Sequence, residues 1–174
     1  MVRPVIFQIV GFQNSGKTTF VNKLLQKLNE NGINVVTIKH HGHGGVPQLN
    51  EGKDSAQHVK SGATASLVEG EGRLILHAER QNWSLEEKIQ LLSIFSPDVI
   101  LIEGHKHEKF PKAVIVRRDD DIQLIKTLTG IEVIFYWEQE LQDLRTFNKP
   151  SYHVDQSLGM DWIVQYLKNQ LINS

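Results

Sequence analysis

Residues 11–18, Gly-Phe-Gln-Asn-Ser-Gly-Lys-Thr, set two glycines, a lysine and a hydroxyl at fixed spacing. This is the order G-x-x-x-x-G-K-[ST], the pattern of loops that cradle phosphate chains. Backbone N–H groups of Asn14, Ser15, Gly16, Lys17 and Thr18 can curl around phosphate oxygens, and a helix opening here adds its positive end. Gly16 has no Cβ to keep the backbone away from a phosphate. Lys17 brings a cation to the β and γ oxygens, the Thr18 hydroxyl is a ligand for Mg²⁺, and Thr19 falls near the α-phosphate. The flanks agree with this reading. The apolar run Val5-Ile-Phe-Gln-Ile-Val10 precedes the loop, and Phe20, Val21, Leu24, Leu25 and Leu28 follow at helical spacing.

A magnesium-side acid is expected at the carboxyl end of a buried strand, where parallel α/β sheets hold their ligands. Asp98 and Glu103 flank the apolar segment 99–102. Five residues of strand separate them by roughly 17 Å, so one of the two can serve. Glu103 is at the correct end and is assigned as the metal-side acid. Mg²⁺ keeps waters and uses few carboxylates, so the contact is expected through water. Asp98, just after Pro97, is read as a residue of the turn into the strand.

Five of the eight histidines fall in two short stretches, Lys39-His40-His41-Gly42-His43 and His105-Lys106-His107. Each follows a strand that should end at the nucleotide edge. Lys39, His40, His41, His43, His105, Lys106, His107, Lys109 and Lys112 are therefore expected on one basic rim, a cradle for an anionic second ligand. Asp54, from the next segment, is a further candidate for that edge and also a helix cap. Solvated loop residues and a transition-metal site are the other roles open to the rim, and imidazole would suit the metal. Against the metal stand the absence of any cysteine and of a histidine pair at i, i+4 on a helix.

Guanine is commonly read by an Asn-Lys-x-Asp segment. Here Asn148-Lys149-Pro150 ends in Ser151, and a hydroxyl cannot replace a bidentate carboxylate. Asp155 is nearby but out of register. From the residues alone the base identity is open. No arginine finger or obvious nucleophile can be named, so hydrolysis is expected to be slow.

The elements that must position these groups alternate. Strands are expected at 5–10, 35–38, 65–68, 74–77, 98–103, 113–116 and 131–135. Helices are expected at 18–30, 54–61, from Ser84 to about Phe95, and at 163–171. Ser84 and Glu87 form a capping box, and Gly70-Glu-Gly72 reads as a turn. Alternating strands and helices imply an α/β phosphate-loop NTPase-like fold, a mainly parallel sheet with helices on both faces. The 174 residues suit one nucleotide-binding domain. A formal charge of −1 lacks the overall field of a non-specific nucleic-acid binder. No apolar run approaches the ~18 residues of a membrane span. These features place the chain among cytoplasmic proteins.

The phosphate loop with Thr19, then Ile38-Lys-His-His41, Asp54-Ser55 with Ser61-Gly-Ala63, and Ile102-Glu-Gly-His-Lys106 followed by Phe110-Pro-Lys112 form an ordered set. From residue 5 to about 117 that set resembles the MobB family, molybdopterin-guanine dinucleotide biosynthesis protein B. The resemblance implies a GTP- and Mg²⁺-binding accessory protein of molybdenum-cofactor maturation. It also implies a homodimer with weak GTPase activity that assists the molybdopterin guanylyltransferase. Lys17, Thr18 and Glu103 then carry the phosphate and Mg²⁺ contacts. The alternative is a nucleotide-dependent nickel-insertion protein. A small-molecule kinase would need a lid and an acceptor-activating base, and neither is evident.

Overall fold

The structure, a computed structural model, describes residues 3–40, 54–138 and 142–173. The chain divides into two compact units, Met1–His40 with Ile89–Ser174, and His41–Lys88.

The first unit is built on a six-stranded sheet. Its strands are β1 (Val5–Gly11), β2 (Val35–Lys39), β5 (Val99–Glu103), β6 (Lys112–Val116), β7 (Ile131–Tyr136) and β8 (Ser151–His153). They lie in the order β2-β5-β1-β6-β7-β8, and every neighbouring pair is parallel. Strands β5 and β6 are buried at every position, which is why residues 99–102 and 113–116 read as continuous apolar runs rather than alternating ones.

Side-chain alternation sends successive residues to opposite faces. Phe7, Ile9, Ala113, Ile115, Val133 and Phe135 pack on one side, against α1 (Lys17–Glu30) and α5 (Ser157–Ile172). Val10, Val114, Val116 and Ile134 pack on the other, against Ile122, Leu124 and Ile125 of α4 (Ile122–Thr127). Helices thus cover both faces, as expected. Leu24 and Leu28 of α1 have no exposed surface. Burial of such side chains is worth about 1.5–3 kcal/mol each, which holds α1 against this face of the sheet.

In the second unit the described elements include α2 (Asp54–Lys60) and an antiparallel hairpin of β3 (Ala65–Gly70) and β4 (Arg73–Ala78). Glu71 and Gly72 both have positive φ, 50° and 78°. That is the signature of the two-residue turn whose twist suits a hairpin. Leu67 pairs with Leu76, and Val68 with Ile75. These four and Leu74 are exposed, so both faces of the hairpin carry apolar side chains. Helix α3 (Leu85–Leu92) opens on the expected capping box. Ser84 N–H donates to the Glu87 carboxylate at 2.9 Å, and Glu87 N–H donates to the Ser84 hydroxyl at 3.1 Å.

Candidate functional site

Residues 11–18 join β1 to α1 at the carboxyl edge of the sheet. Two glycines are forced by their surroundings. A Cβ on Gly11 would stand 2.6 Å from the Ile115 carbonyl oxygen, and one on Gly16 would stand 2.6 Å from the Trp137 ring. Gly16 also has φ +84°, where other residues are strained.

Two side chains hold the loop from outside. Arg117 Nη1 donates to the Asn14 carbonyl at 2.7 Å, and Trp137 Nε1 donates to the Ser15 carbonyl at 2.9 Å. A trans peptide points its C=O and N–H in opposite directions. Fixing the Ser15 carbonyl on Trp137 therefore turns the Gly16 N–H to the other side, free for an anion.

Lys17 folds over its own loop, donating to the Phe12 carbonyl and to Ser15 Oγ. Partial burial lowers the Lys17 pKa below its ordinary value; the Glu103 carboxylate opposes that shift, whereas Lys39 and Lys106 add to it. The Thr18 hydroxyl donates to Glu103 Oε1 at 2.7 Å. The Thr18 hydroxyl and the Glu103 carboxylate, 85 residues apart in sequence, are thus in contact. Hydroxyl and carboxylate oxygens are the hard donors that Mg²⁺ takes. Asp98 lies at the far end of β5, where its carboxylate accepts from the Asn34 N–H at 2.8 Å. It is a turn residue, as expected from its place after Pro97.

The basic edge is more varied than the sequence suggests. Lys39 reaches inward, donating to Thr18 Oγ1 at 2.9 Å and lying 3.3 Å from Glu103 Oε1. The His40 ring packs on His105, with centroids 4.6 Å apart. Lys106 sits 5.0 Å from the centre of the Phe12 ring, within cation–π range at the mouth of the loop. His107 and Lys109 are exposed. Lys112 departs from expectation: it is fully buried and belongs to no rim. Its ammonium donates to the Glu108 and Thr129 carbonyls at 2.5 and 2.6 Å, because the chain turns those carbonyls inward to meet it. His41 and His43 lie outside the described residues. Asp54 begins α2, in the other unit.

Several contributors were not assigned roles from sequence. Gln8 is buried in β1, and its Nε2 donates to the Gly104 and His105 carbonyls at 3.2 and 2.9 Å. A lone amide inside an apolar strand was its one visible signal. Arg117 and Trp137 had none, since each follows a strand at a distant point in the chain. Among the described residues no three His, Asp or Glu side chains gather as a metal-binding group.

Comparisons agree with this architecture. Residues 6–134 match the family described as MobB, molybdopterin guanine dinucleotide synthesis protein B. The chain belongs to the MobB family. A Bacillus subtilis relative, a probable molybdopterin-guanine dinucleotide biosynthesis adapter protein, is 40% identical over 172 residues, 98% of each chain. The crystal structure of Bacillus subtilis MobB superposes with a TM-score of 0.80 at 41% identity, covering 92% of this chain and 96% of that one. A MobB homologue from Bacillus stearothermophilus gives 0.72 at 30% identity, covering 97% and 99%. The family match holds the phosphate loop, Glu103 and Lys112. Trp137 and Asp155 lie beyond it.

Proposed function

We propose that this chain is a GTP-binding adaptor in molybdopterin-guanine dinucleotide biosynthesis, handing a nucleotide-loaded surface to a guanylyltransferase. The observation that carries the nucleotide part is the convergence of a phosphate loop, Thr18 and Glu103 at one sheet edge. The pathway rests on the names of the MobB relatives. Nothing in those comparisons supports nickel insertion.

Thr18 and Glu103 would hold Mg²⁺, which when bound neutralises part of the triphosphate charge. The chain's own groups do the rest. Loop N–H groups and Lys17 hold the phosphates, and Arg117 and Trp137 keep the loop in shape. A slow catalyst suits an adaptor, because product is then released by a partner's timing rather than by chemistry.

The partners are the guanylyltransferase and a second copy of this chain. Contiguous exposed apolar surface usually marks an interaction site, and the side chains on both faces of the β3–β4 hairpin support that part of the reading. A cytoplasmic setting fits a biosynthetic adaptor, and among the described residues no helix is long and apolar enough to cross a membrane.

Lys17→Ala tests the nucleotide reading. Charge-assisted contacts of ~1.5–3 kcal/mol each are lost, so GTP affinity measured by calorimetry should fall about tenfold or more. Circular dichroism should stay unchanged. Unaltered affinity in a folded variant overturns the proposal.

A further inference from the structure

We propose that the hollow beside Thr19, walled by Trp137 and closed by Asp155, is the base pocket and that Asp155 selects guanine. The proposal rests on the nucleotide reading above and deepens it.

Position comes first. The loop fixes the phosphates, and Thr19 stands on the α-phosphate side, so the nucleoside leaves the loop on that side. A shallow hollow open to solvent lies there, lined by Gly16, Thr19, Lys23, Trp137, Val154 and Asp155 among others. Its far walls come from neighbouring parallel strands. Trp137 is the residue after β7, and Asp155 is the second residue after β8. Both strands end at the ligand-binding edge of the sheet.

The walls are built and held. The Trp137 ring lies against Gly16 and its indole N–H is tied to the Ser15 carbonyl, yet part of the side chain stays exposed. An anchored indole is a platform on which a base can stack. His153 fixes the distance between platform and acid. Its Nε2 lies 2.8 Å from the Trp137 carbonyl, and its Nδ1 accepts the Asp155 N–H at 3.3 Å. This pattern assigns the neutral tautomer with the proton on Nε2. In that state the 3.9 Å approach of Nδ1 to the Asp155 carboxylate is no ion pair.

The chemistry then chooses the base. Asp155 is exposed, and its ion pair with Lys23 is long, 3.7 Å. Its carboxylate oxygens remain open to a ligand. Guanine presents two donors side by side, N1–H and the 2-amino group, and a carboxylate accepts both. Adenine offers a lone pair at N1 in the same place, so it meets repulsion and leaves the acid unsatisfied. This also explains the imperfect Asn148-Lys149-Pro150-Ser151 segment. It leads into the amino end of β8, where Ser151 Oγ donates to the Lys149 carbonyl. The acid comes from the other end of the same strand.

The test is calorimetric titration of the parent chain, Asp155→Ala, Asp155→Asn and Lys17→Ala with GTP, ATP and xanthosine triphosphate. The parent should prefer GTP over ATP about tenfold or more, and Asp155→Ala should abolish that preference by weakening GTP and relieving the repulsion that disfavours ATP. Asp155→Asn should weaken GTP and strengthen xanthosine triphosphate, whose 2-carbonyl accepts from the introduced amide. If both Asp155 variants keep the parent's GTP-to-ATP ratio while Lys17→Ala loses all three nucleotides, the base pocket is overturned and the nucleotide reading stands. If the parent binds none of them, both fall.

Discussion

Lys39 and Glu103 are register partners at the carboxyl ends of neighbouring strands, and their side chains meet at 3.3 Å. The same ammonium donates to Thr18 at 2.9 Å. A tethered cation therefore touches both oxygens that suit Mg²⁺. Lys39→Met removes that competitor. Glu103 is buried but the Lys39 ammonium is half exposed and screened by solvent, so the pair's strength is about 0.2–1 kcal/mol, and the Mg²⁺ concentration giving half-maximal GTP binding should fall by up to about fivefold. A rise instead would make Lys39 a phosphate ligand.

Glu103→Gln should weaken GTP binding in Mg²⁺ more than in EDTA. The side chain keeps an acceptor for the Thr18 hydroxyl but loses the charge that a divalent ion needs. Asp98→Asn is the control, since Asp98 sits at the opposite end of β5 and binds the Asn34 amide. Equal losses in both buffers for Glu103→Gln would place its role outside metal binding.

Lys112→Met should destabilise the fold by about 1–3 kcal/mol, because two buried carbonyls lose their donor. The pH dependence has a definite sign. Burial lowers the Lys112 pKa below its ordinary 10.5, with the nearby Glu108 opposing. Between the lowered value and 10.5 the unfolded chain binds more protons, so stability rises with pH across that window and is lost as pH falls through the folded value. Denaturant titrations on the alkaline side should show this rise in the parent and less of it in Lys112→Met. Parallel curves would mean the ammonium carries no desolvation cost.

GTP turnover by the isolated chain should stay below about 1 s⁻¹, in the range of unassisted phosphate-loop GTPases. Arg117, which reaches the loop, is committed to the Asn14 carbonyl. A rate of tens per second without a partner would overturn the adaptor reading.

What the sequence shows clearly is local. The loop, its strand and helix, Glu103 at a strand end, and the capping box at Ser84 each follow from spacing within a dozen residues. The six-residue α4 and three-residue β8 are too short for periodicity to register, and α5 begins at Ser157, ahead of the apolar repeat that marks it. Lys112 reads as a surface lysine because its partners, Glu108 and Thr129, are backbone carbonyls, which sequence does not display. Asp155 is legible only as an acid out of register; parallel pairing of β7 with β8 brings it to the edge where Trp137 stands.

Residues 104–111, which link β5 to β6, are gripped at both ends. Gln8 holds the Gly104 and His105 carbonyls from β1, and Lys112 holds Glu108 from β6. Loops that report a γ-phosphate in related chemistry do so by refolding. This one is a strut. It carries Lys106 to the mouth of the phosphate loop, over the Phe12 ring. Hydrogen-exchange protection of its amides should be the same with and without GTP. A partner that distinguishes the loaded from the empty state must then take its cue from the nucleotide itself or from another segment.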